Sequence, residues 1–66
     1  MKIILNGTSR DVPDNLSASE LLQSLGLANK RLALEVNREI VPRSTFERHI
    51  IRPDDRIEIV HAIGGG

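Results

Sequence analysis

Cysteine, tryptophan and tyrosine are absent from these 66 residues, and phenylalanine occurs once. Without cysteine there is no disulfide staple, no thiolate zinc site and no intrinsic catalytic thiol, so packing alone must hold the chain. With Phe46 the one aromatic, no stacking platform exists for single-stranded nucleic acid, and Phe46 itself reads as a core or semi-core residue. Neither sign of charge is in excess: nine Lys and Arg balance nine Asp and Glu. That balance removes the usual electrostatic grounds for binding nucleic acid or an anionic membrane. No apolar run approaches a membrane span, and the one within Met1–Gly7 is too short for a secretory signal, so the expectation is a cytoplasmic protein.

Metal and catalytic motifs are equally scarce. His49 and His61 are the only imidazoles, and they lack the spacing of a ligand pair, so no metal site is expected. No serine sits in a nucleophile elbow, and no glycine-rich stretch joins a strand to a helix as a phosphate cradle would require. Asp54 and Asp55 follow Pro53 and read as turn formers rather than an acid–base pair. The expectation is a protein without catalytic residues or a bound cofactor of its own.

What is present is a strongly patterned small domain. Ile3-Ile4-Leu5 leads into Asn6-Gly7, the dipeptide suited to a two-residue hairpin turn, with a returning strand over about 8–12. Ser17 and Glu20 form a capping box, Leu16 and Leu21 occupy the staple positions, and Gly26 suits a left-handed stop, which predicts a helix over about 18–25. Leu32, Leu34 and Val36 alternate as in a half-buried strand, and a polar turn over 37–39 leads to a short strand at Ile40-Val41. Ser44-Thr45-Phe46-Glu47 repeats the capping pattern without a staple and predicts a single helical turn. A turn at 52–55 precedes the closing strand, Arg56–Val60. The sum is an α+β layer: one helix on one face of a mixed sheet, the first strand beside the last and parallel to it.

Gly64-Gly65-Gly66 follows that strand with no polar spacer. Residues without a Cβ make the thinnest chain available, able to enter a narrow channel. Extended, positions 61–66 reach about 20 Å, enough to carry the Gly66 carboxylate into a partner's active site while the domain stays outside. A carboxylate must be activated before it reacts, and a chain this small cannot do so unaided. The working group expected here is therefore the Gly66 α-carboxylate of a protein substrate. Val60, Ala62 and Ile63, apolar where strand meets tail, are candidate docking residues for the partner.

Three segments carry a family resemblance: Val36-Asn37-Arg38-Glu39-Ile40-Val41-Pro42-Arg43, the closing Asp55-Arg56-Ile57-Glu58-Ile59-Val60, and Gly65-Gly66. Together they resemble the small ubiquitin-like sulfur carriers, most closely those of thiamine biosynthesis. The resemblance implies a β-grasp domain over 1–63 and a flexible tail over 61–66 that threads a partner through Gly64 and Gly65. It implies adenylation of Gly66 by a partner adenylating enzyme that consumes ATP, then replacement of AMP by sulfur from a persulfide protein to give a thiocarboxylate. Thiazole synthase would accept that sulfur. Departing from the family pattern, Asp54 stands where glycine is frequent, and Gly64 adds a third glycine. The free chain is expected to be a monomer. A carrier for molybdopterin synthesis, a covalent protein modifier joined through Gly66, and a passive interaction module are the alternatives.

Overall fold

A computed structural model describes residues 1–61. Strands β1 (Lys2–Leu5) and β2 (Thr8–Asp11) form the first hairpin, and helix α1 (Ala18–Ser24) follows. A second hairpin joins β3 (Leu32–Val36) to β4 (Glu39–Val41); a 3-10 turn (Arg43–Thr45) then leads to β5 (Arg56–His61). The sheet order is β2-β1-β5-β3-β4, so the last strand of the sequence is the central one. It runs parallel to β1, with Ile4 opposite Arg56 and Leu5 opposite Ile57, and antiparallel to β3 from Leu32–His61 to Val36–Ile57.

Local chemistry accounts for each element. Asn6 and Gly7 have φ of +47° and +82°, the two left-handed positions that a tight hairpin between right-twisting strands requires. In the second hairpin those positions fall on Asn37 and Arg38, at φ +52° and +70°. Arginine has no local reason to adopt that conformation, and the paired strands impose it. Asp54, at φ +68°, takes the conformation for which glycine would otherwise be suited.

Helix α1 is capped at both ends. The Glu20 N–H donates to Ser17 Oγ at 3.0 Å, and the Ser17 N–H donates to Glu20 Oε1 at 2.9 Å. The remaining N-terminal amides find partners farther along the chain: Ala18 N–H donates to His49 O at 2.8 Å and Ser19 N–H to Phe46 O at 3.0 Å. At the other end Gly26, at φ +74°, lets the Leu27 N–H reach Leu22 O at 2.8 Å and its own N–H reach Gln23 O at 3.0 Å, a Schellman stop. The helix ends at Ser24 with Leu25 as its cap, one residue short of the expected end.

The helical turn before Ile50 starts at Arg43 rather than at the Ser44 capping pattern. Pro42, with φ fixed near −62°, opens it, no side chain caps it, and the Thr45 hydroxyl donates back to Pro42 O at 2.9 Å. Pairing in β2 stops at Asp11, although the Val12 N–H still donates to Met1 O. The closing strand runs one residue farther than its sequence suggests, through His61.

The core lies between α1 and one sheet face. Ile3, Leu34, Ile57 and Ile59 point down from the strands onto Ala18, Leu21 and Leu22, and Phe46 and Ile51 close the side. Phe46 is thus a core residue, as its solitary status suggested. The capping box carries a pH signature. Hydrogen bonds from the Ser17 backbone and then its side chain hold the Glu20 carboxyl below the usual carboxylate range. A depressed folded value means that the cap stabilises the fold above the ordinary carboxylate pKa, and that this contribution is lost as pH falls through the folded value. Thermal midpoints of the native chain and a Glu20→Gln variant should therefore differ at neutral pH and converge in acid; a constant gap would contradict this assignment.

Candidate functional site

The tail's root is fixed by a strand bonded on both sides. At the start of β5, Asp55 is 9% exposed and both its carboxylate oxygens accept hydrogen bonds: Oδ1 from Asn37 Nδ2 at 3.0 Å, Oδ2 from the Arg52 N–H at 2.8 Å. Asn37 in turn accepts from the Arg56 N–H through Oδ1 at 2.9 Å and donates its own N–H to Arg56 O at 2.7 Å. The β3–β4 turn and the first residue of β5 are thereby locked together. Asp55 does more than form a turn, and its partner Asn37, 18 residues earlier, is not marked by any local sequence signal.

Farther along β5 a second device takes over. Ladder pairing with β1 ends at Leu5–Ile57, but the Asn6 side chain reaches across, and its Oδ1 accepts from the Ile59 N–H at 2.8 Å. One asparagine thus turns the hairpin with its backbone and extends the sheet with its side chain. Arg43 donates from Nη2 to Lys30 O at 3.1 Å and ties the loop that precedes β3. Strand β5 ends at His61, opposite Leu32.

The sheet face turned away from α1 is open. Because Ile57 and Ile59 point into the core, Glu58 and Val60 point outward, and by the same alternation so do Glu35 and Ala33 of β3 and Ile40 of β4. Val60 is 57% exposed and Ile40 is 71% exposed, so Val60, proposed from sequence as a docking residue, is on the surface rather than in the core. A concave region of about 370 Å³ lies at the β4 edge, with Val36, Val41, His49 and Ile50 among its walls. Ala62, Ile63, Gly64, Gly65 and Gly66 lie outside the described residues. No helix among the described residues is long and apolar enough to cross a membrane.

Two hairpins, one helix against a single face and a central C-terminal strand define a β-grasp domain, and the comparisons agree. The chain belongs to the ThiS family, which matches residues 3–66. It is similar to the sulfur carrier protein ThiS of Escherichia coli, with 32% identity over 66 residues covering the whole of both chains. The crystal structure of the thiamine biosynthesis protein ThiS from Geobacter metallireducens superposes with a TM-score of 0.88 at 29% identity, again over the whole of both chains. A thiazole synthase of Magnetococcus marinus is 41% identical over 66 residues; the chain spans 20% of that protein's length.

Proposed function

We propose that this chain is a sulfur carrier for thiamine biosynthesis and that the Gly66 carboxylate is the group that carries the sulfur. The match to the ThiS family across residues 3–66, glycines included, is the observation that carries the reading. A carboxylate oxygen of Gly66 attacks the α-phosphorus of ATP bound by an adenylating enzyme, and pyrophosphate leaves. The outer sulfur of a donor protein's persulfide then displaces AMP from the acyl-adenylate to give an acyl disulfide. A thiol cleaves that disulfide, releasing the thiocarboxylate, in which one oxygen has become sulfur, and leaving a disulfide between the thiol and the donor cysteine. Thiazole synthase is the acceptor in this reading, supported by curated thiazole synthases in which a segment similar to this chain is part of the same polypeptide.

The division of labour suits the chain. The domain over 1–63 supplies a rigid handle, positions 61–66 supply reach, and Gly64 and Gly65 supply a tail thin enough to thread a partner's channel. Val60, Ala62 and Ile63 dock against the partner. The carrier binds no cofactor itself, acts in the cytoplasm where ATP and persulfides are made, and is a monomer when free.

Intact mass with terminal-fragment sequencing, before and after incubation with ATP, the adenylating enzyme, a persulfide donor and a reducing thiol, tests the reading. Replacement of one oxygen by sulfur at Gly66, lost when Gly65 and Gly66 are deleted, is the expected result. An unchanged mass with a demonstrably active partner, or isopeptide conjugates through Gly66, would overturn it.

A further inference from the structure

Glu35 and Glu58 stand directly opposite each other in the β3–β5 register, both on the open face. Like charges facing each other across a ladder are destabilising, and here they occupy the middle of the sheet. Glu35 is flanked on its other side by Ile40, and the next row holds Ala33 and Val60. The basic neighbour on the same face is Arg56, two residues along β5 from Glu58, and it makes no ion pair within 4.0 Å with either carboxylate. Among the described residues the one ion pair within 4.0 Å is elsewhere, between the Met1 ammonium and Asp14.

From this juxtaposition we infer that the open face is specific for a protein surface presenting an arginine or lysine side chain, seated between Glu35 and Glu58 and ringed by apolar contacts to Val60, Ala33 and Ile40. The partner chemistry follows from complementarity. Exposed apolar residues around the pair exclude water when covered, and a pair of carboxylates so covered needs a cation to offset its lost hydration. A planar guanidinium can donate to both carboxylates at once. The repulsion in the free carrier becomes attraction in the complex, so the pair selects its partner at the expense of the unbound domain. The inference rests on the carrier reading for the identity of that partner, the adenylating enzyme, and deepens it by giving the chemistry of the contact.

Affinity of the full chain for the adenylating enzyme, measured without ATP at low and high salt, tests it against two variants. The Glu35→Gln/Glu58→Gln double variant should bind at least about tenfold more weakly at low salt, with a flatter salt dependence and a thermal midpoint equal to or above that of the native chain. Glu58→Lys should raise the midpoint further by pairing with Glu35, and should also weaken binding. Native-like or tighter binding by the double variant overturns the inference, as does weaker binding accompanied by a lowered midpoint in both variants. Sulfur transfer to Gly66, followed separately by mass, distinguishes the two readings: its failure in the native chain removes the carrier reading while a charge-dependent affinity leaves the docking contact standing.

Discussion

An Ile57→Ala variant should lose a large part of the domain's stability. Ile57 is fully buried near the start of the central strand, opposite Leu5 on one side and Val36 on the other, and its carbonyl accepts the Asn6 N–H at 2.8 Å. Truncating a buried isoleucine to alanine costs about 2–5 kcal/mol, through lost transfer energy and the cavity left behind. A domain of this length is stable by only about 3–10 kcal/mol in total. The cavity would open where α1 and both neighbouring strands meet, so no single loop can relax to fill it. Ile57→Val, which keeps the β-branch, should cost about 0.5–1.5 kcal/mol. Urea titrations followed by far-ultraviolet circular dichroism would check both, and a cooperative transition near the native midpoint for Ile57→Ala would contradict this account.

The same strand shows what local sequence reveals and what it conceals. Wherever one residue's chemistry decides the backbone, the pattern was readable: Asn6-Gly7 turns as its positive φ values require, Ser17 and Glu20 close their box, and Gly26 stops the helix. The alternation of Leu32, Leu34 and Val36 names the core face of β3, and the parallel placing of β1 beside β5 follows from the crossover through α1. The two side-chain bridges were hidden, because each joins residues distant in sequence: Asn37 to Asp55, and Asn6 to Ile59. A polar residue in a turn has a sufficient local explanation, so nothing in its immediate neighbours advertises a second role. The left-handed Arg38 was hidden for the opposite reason, since its conformation runs against its own preference. Of the candidate site, Val60 was legible as an apolar residue on a closing strand, whereas the opposition of Glu35 and Glu58 depends on the β3–β5 register.

Replacing Asp55 by alanine should cost roughly 2–4 kcal/mol and leave a carrier that is weaker as a fold but unchanged in its chemistry. Two donors lose a charged acceptor at once, the Asn37 side-chain amide and the Arg52 backbone N–H, at about 1.5–3 kcal/mol for each such bond. Their sum is an upper bound, because Asn37 is exposed and water can replace part of what it loses. Asp55→Asn keeps one acceptor oxygen and should cost about half as much. A double-mutant cycle with Asn37→Ala isolates the pair, and a coupling energy of about 0.5–3 kcal/mol is expected for side chains in direct contact. Asp55 precedes β5 at one end, while the tail leaves at the other, beyond His61. Below its lowered midpoint, the Asp55→Ala chain should therefore take up sulfur at the native rate. A folded Asp55→Ala chain that takes up sulfur slowly would mean that the buried end of β5 is coupled to the tail, and that the central strand transmits position as well as supporting it.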